Sequence, residues 1–128
     1  MLFRSRINED MKGIENASVR VTTATARMLA TGREAPDWFE VLLGNINVVP
    51  GLQSDVVRYL RSDLELGVEQ GLFKAEIDVL LINQILALIR TAAAVDREIS
   101  LETIRTTCEA VLRLLGIPAS REIGRAHV

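Results

Sequence analysis

With 128 residues, 48% of them hydrophobic against 25% charged, the chain suits one globular domain that buries roughly two thirds of its unfolded surface. A formal net charge of -2 gives no basic field to draw in a phosphate backbone, and a single cysteine, Cys108, excludes an intramolecular disulfide. One histidine leaves no Cys/His cluster for zinc, so neither a metal nor another cofactor is expected.

Leu2-Phe3-Arg4-Ser5 is the translation of CTCTTCCGATCT, a sequencing-adapter string, and residues 1–5 are expected to be a scar without fold information. No positively charged start followed by an apolar run and a small-residue cleavage site marks the chain for export, which points to the cytoplasm. From Arg6 to about Ala30, Ile7, Met11, Ile14, Val21, Met28 and Leu29 recur at a loose helical spacing. The middle of this first helix, Ala17 to Ala26, is rich in Thr and Ala and small enough for close packing, and Thr31-Gly32 predicts its end. Pro36 and Asp37 open a second helix, because Pro is tolerated where a backbone N–H would have no partner. It carries Trp38, Phe39, Val41, Leu42, Leu43 and Ile46, runs to about Asn47 and stops before Pro50-Gly51.

A third helix runs from Leu52 to about Gln70, with Val56, Val57, Leu60, Leu64 and Val68 on one stripe and Arg58, Arg61, Glu65 and Glu69 on the other. Gly71 to Lys74 form a connection, with the Phe73 ring folded back on the bundle. The fourth helix, Ile77 to about Val95, is apolar nearly all round and needs cover on two sides. Asn83, Gln84, Arg90 and Thr91 interrupt it, so it falls short of a membrane span. Ser100 is the expected N-cap of a fifth helix, which ends at Gly116 just before Pro118. On it, Leu101, Ile104, Cys108, Val111 and Leu115 repeat at alternating three- and four-residue steps opposite Glu102, Arg105, Glu109 and Arg113. Ala110, Leu112 and Leu114 widen the apolar side. Together the last two helices present more apolar surface than a monomer of this size covers, which points to a partner subunit.

Residues 120–128 read as a tail. Within it, EIGRAHV (Glu122 to Val128) translates GAGATCGGAAGAGCACACGTC, the adapter read-through, so residues 123–128 are set aside as a second scar together with His127. Matches at both ends imply a natural gene that extends beyond the chain on its N-terminal side.

Over residues 6–119 the order of features resembles the C-terminal regulatory domain of the TetR family of bacterial transcriptional regulators. The resemblance rests on RSDLELGVEQGLFKAEID (Arg61 to Asp78), VLLINQILALIRTAAAV (Val79 to Val95) and AVLRLLGIP (Ala110 to Pro118). It implies an all-α five-helix bundle whose last two helices form a four-helix interface in a homodimer. On the fourth and fifth helices, Leu81, Ile85, Leu88, Ala92, Ile104, Val111 and Leu115 are then the candidate dimer contacts. The resemblance also implies a small hydrophobic or amphipathic effector among the earlier helices, with Arg6 to Ala30 as the helix that connects to a DNA-reading domain. The family's helix-turn-helix has no match in the chain, so DNA contact belongs to an N-terminal domain absent here.

Met28, Trp38, Asn45, Tyr59 and Asn83 are the candidate ligand-pocket residues. Each has a plainer reading. Met28 and Trp38 equally suit a core, and Asn45, Asn47, Asn83 and Gln84 are amides in apolar company whose partner is a ligand or, the favoured reading, neighbouring backbone. Cys108, within an apolar repeat, reads as a small hydrophobe. With His127 set aside, no nucleophile and base or paired acid and base stand out, so an enzyme is not expected. The alternative to an effector-binding dimer is a helical protein-interaction scaffold without a small-molecule ligand.

Overall fold

The computed structural model describes residues 13–46 and 55–117, with the side chains of all but 42–46 and 55. Among them are five α-helices and no strand: α1 (Ala17–Glu34), α2 (Pro36–Ile46), α3 (Asp55–Glu69), α4 (Val79–Val95) and α5 (Leu101–Leu114). No helix there is long and apolar enough to cross a membrane.

α1 starts later than the periodicity predicts. Gly13 adopts a left-handed φ of 85°, and the Asn16 side chain accepts a hydrogen bond from the Val19 N–H (3.1 Å), so the cap fixes the first turn at Ala17. The predicted turns before Gly13 fall outside the described residues. α1 also ends later, passing through Thr31-Gly32 to Glu34, where the Ala35 N–H donates to the Thr31 carbonyl (2.8 Å) directly before Pro36. Gly32 costs the helix about 1 kcal/mol relative to Ala. Its bare backbone, however, seats the Phe39 ring, which a Cβ at 32 would approach to 2.6 Å. Burying Phe39 to 2% exposure contributes about 2 kcal/mol, so the packing outweighs the propensity.

The other boundaries follow their caps. α2 begins on Pro36, as predicted. α3 ends where Gly71 turns to a φ of 73° and the Leu72 and Phe73 N–H groups both donate to the Gly67 carbonyl (2.9 and 3.2 Å). That reversal folds Phe73 back over Gly67, leaving the ring 5% exposed. Asp78 caps α4 by accepting from the Leu81 N–H (2.8 Å), and Ser100 caps α5 by accepting from the Thr103 N–H (3.2 Å). At the end of α5, Gly116 takes a φ of 82° and the Leu115 carbonyl accepts the Lys74 N–H (3.1 Å), tying this helix to the α3–α4 connection.

α1 touches all four other helices, and its broadest contact is with α5. Its buried face is built from Ala17, Ser18, Val21, Thr22, Thr25, Met28, Leu29 and Gly32. Thr22 and Thr25 each donate their hydroxyl to the carbonyl one turn earlier (2.9 Å for both) and so need no partner from another helix, whereas the Ser18 and Thr23 hydroxyls are buried without a hydrogen-bond partner. Around this helix close Leu64 of α3, Ile85 and Leu86 of α4, Leu112 of α5 and Leu115 just beyond it, each 1% exposed or less.

Gly67→Ala should lower stability by about 2 kcal/mol, because the new methyl occupies the Phe73 ring position and outweighs the ~1 kcal/mol gain in helix propensity. Thermal denaturation followed by circular dichroism checks this, and adding Phe73→Leu should recover part of the loss. An unchanged or raised melting temperature in Gly67→Ala would contradict the packing.

Candidate functional site

α4 and α5 form a hairpin whose short connection is hydrogen-bonded to one carboxylate. The Asp96 carboxylate accepts from the Thr103 hydroxyl (2.6 Å), the Ser100 N–H (2.9 Å) and the Glu98 N–H (3.2 Å). These bonds, the Thr103 hydroxyl foremost, hold its pKa down at about 2. Ile99 completes the turn with a φ of 48°, a conformation unfavourable to a β-branched residue, while its side chain is buried to 2% exposure.

Each helix of the hairpin carries two apolar stripes, and the structure decides which one is open. Leu81, Ile85 and Ala92 of α4, with Ile104, Val111 and the adjoining Leu115 of α5, were expected to meet a partner. All six are 9% exposed or less and lie inside this chain's own core. In the single chain they serve as core residues, covered by the neighbouring helices. Leu101, which the repeat places with them, is 66% exposed at the start of α5.

Of the candidate contacts only Leu88 lies on the outer side. There it lines a shallow groove of about 470 Å³, open to solvent, with Gln84, Ala87 and Thr91 of α4 and Ala110, Arg113 and Leu114 of α5. Leu80 and Val95 lie near opposite ends of α4, 74% and 81% exposed. The groove floor is mainly apolar, with Gln84, Thr91 and Arg113 as its polar positions. Glu109 lies between Arg105 (3.2 Å) and Arg113 (3.9 Å), forming a line of exposed ion pairs along α5. Exposed pairs of this kind contribute only about 0.3–0.5 kcal/mol each.

Met28, Trp38, Tyr59 and Asn83, the candidate pocket residues whose side chains are described, do not line this groove. Met28 is 7% exposed in the core, and Trp38 packs half-buried against it. Tyr59 is 42% exposed on α3. The Asn83 carboxamide donates to the Val79 carbonyl (2.8 Å), a backbone partner one turn earlier. Asn45 belongs to α2, but its side chain, like all of Asn47, lies outside the described residues. Ala87, Thr91, Ala110 and Arg113 drew no attention as a site because small and polar residues carry no signal until the neighbouring helix is in place.

Two further groups are chemically notable. Burial, with a smaller contribution from the Glu109 charge, pushes the Cys108 thiol up to about 12, and its sulfur faces the Thr22 carbonyl (3.7 Å). Such a thiol is protonated at neutral pH and a poor nucleophile. On the opposite flank the Arg20 Nε donates to Asp63 Oδ1 (2.8 Å). Burial raises the Asp63 pKa, and the Arg20 hydrogen bond and charge pull it back only in part. Among the described residues no three His, Cys, Asp or Glu side chains are grouped to hold a metal ion.

Two outcomes follow from these groups. Cys108 should react with a thiol-exchange reagent only as fast as the bundle unfolds, so rapid stoichiometric labelling of the native chain would contradict its burial. Because the Asp96 pKa is lower in the folded state, its stabilising contribution is present above about pH 4 and lost as pH falls towards 2. Asp96→Asn should flatten that part of the stability–pH curve in acid denaturation; an unaltered curve would show that Asp96 does not hold the hairpin.

No protein-family model, curated protein or solved structure matches this chain.

Proposed function

We propose that this chain is the effector-binding and dimerisation domain of a TetR-like transcriptional regulator, working by helix movement without chemistry. The observation that carries the reading is the outer face of the α4–α5 hairpin. Ala87 and Leu88 of α4 lie beside Ala110 and Leu114 of α5, and Leu80 and Val95 are exposed further along α4, while the opposite stripes of both helices are already buried. A hairpin that keeps apolar side chains on its open side after filling its core has a face suited to another hairpin. A second copy meeting it there makes a four-helix interface, the arrangement the resembled family uses. Contact then passes through Leu88 and Leu114 and leaves Ile85 and Val111 in the core. DNA contact is assigned to a domain outside this chain.

A helical protein-interaction scaffold is the second reading. The exposure of Tyr59 and the backbone partner of Asn83 favour it, since neither side chain is held ready for a ligand.

Sedimentation velocity on the full chain tests the dimer. The wild type should sediment as a dimer, and Ala87→Glu combined with Thr91→Glu, at two exposed groove positions, should be monomeric with unchanged helicity, since association would desolvate unpaired carboxylates. A monomeric wild type, or a dimeric double variant, would sink the interface. A thermal-shift screen with hydrophobic cations, acyl compounds and phenolics separates the two readings, because a ligand that binds only the folded state raises the melting temperature. No shift with any of the three classes favours the scaffold.

A further inference from the structure

The outward stripe of α4 lacks the charge that a solvated helix face normally carries. α5 turns Glu102, Arg105 and Arg113 to solvent. On α4, by contrast, Leu80, Gln84, Ala87, Thr91 and Val95 recur every three or four residues, all exposed, with half-buried Leu88 beside them. Arg90 is the one charged residue of α4, and helical spacing puts it on the flank with Asn83. A charge-free face thus runs for ~22 Å along one helix. Its middle lines the groove, whose other wall is Ala110, Arg113 and Leu114 of α5.

The order of residues on this stripe is self-complementary. Leu80 and Val95, Gln84 and Thr91, and Ala87 and Leu88 are three pairs centred on one point, midway between Ala87 and Leu88. When two identical helices lie antiparallel about a two-fold axis through that point, the members of each pair stand level across the interface, and each pair occurs twice. Apolar ends then meet apolar ends, and the Gln84 carboxamide meets a hydroxyl. Sliding one turn in either direction sets Gln84 level with Ala87 or Val95 instead and buries its carboxamide without a partner. Ala87 at the centre admits a close approach, and a shallow crossing of about 20° keeps Leu80 and Val95 within reach of each other. The antiparallel pair also sets the two helix dipoles in opposition.

We infer that two copies of the chain associate through α4 in one antiparallel register, with the two-fold axis between Ala87 and Leu88, and that Gln84 and Thr91 fix this register. A polar pair in an otherwise apolar seam specifies register at some cost in stability. This register rests on the dimer proposed above and adds to it which residues meet.

Cross-linking of the full chain with a short bismaleimide tests the inference, with sedimentation velocity on the same samples. Leu80→Cys and Val95→Cys replace exposed side chains, and Cys108 is buried and protonated, so each variant carries one reactive thiol. Mixed together, the two variants should give a cross-linked dimer containing one copy of each, read by intact mass. Each variant alone should stay uncrosslinked, because like positions lie ~22 Å apart along antiparallel helices. Ala87→Cys, next to the axis, should cross-link with itself. Adding Gln84→Leu to both variants should leave the dimer intact and lower the mixed product roughly two-fold, as neighbouring registers become populated. Self-cross-linking of Leu80→Cys would show parallel helices, and a dimer that gives no mixed product would show another register; either overturns the inference while the dimer stands. A mixed product undiminished by Gln84→Leu overturns the role of Gln84, and a monomeric chain removes register and dimer together.

Discussion

The close approach of one small-residue helix to its four neighbours is the constraint on which the rest of the bundle depends. α1 buries Ala17, Ser18, Val21, Thr22, Thr25 and Gly32 where a typical core helix would carry larger aliphatic side chains. Thr22 and Thr25 can be there because their hydroxyls bond to α1's own carbonyls. With α1 this close, α4 and α5 complete the core with one stripe each. Larger side chains along α1 would push them away and leave Ile85, Val111 and Leu115 without the contacts that bury them.

Two aromatic rings lock this arrangement at glycines. Phe39 closes α2 on Gly32, and Phe73 closes the α3–α4 connection on Gly67. Lys74 then passes a backbone hydrogen bond to Leu115, so the end of α5 is fastened to the connection that leaves α3. The Asp96 carboxylate does the same at the other end of α5, through Ser100 and Thr103. The hairpin thus presents its outer groove on helices fixed at both ends, which is what a preorganised contact surface requires.

Most of the fold was legible in the sequence because its signals are local. Pro36, Ser100 and Gly116 mark boundaries by their own backbone chemistry, and the structure has them there. Two boundaries of α1 were misjudged for opposite reasons. Asn16 is an ordinary cap residue hidden inside a helical periodicity, and Gly32, read as a stop, is a packing surface whose partner Phe39 lies on another helix. The candidate contacts were harder still. Ile85 and Leu88, or Val111 and Leu114, are equally apolar, and only the placement of the neighbouring helices decides which of each pair is fully buried. Periodicity gives a helix its stripes without saying which neighbour covers them. The contact of Asp63 with Arg20 on α1 was illegible for the same reason, since it joins residues more than forty positions apart in sequence.

The claim on which the functional account turns is that a second copy covers the outer face of the hairpin. A nitroxide on Thr106→Cys, an exposed position of α5, reads this by pulsed dipolar spectroscopy with one label per chain, since buried and protonated Cys108 stays unlabelled. The account predicts one narrow intermolecular distance from a symmetric pair of hairpins. A decay with no intermolecular component, at concentrations where the chain is folded, would contradict it.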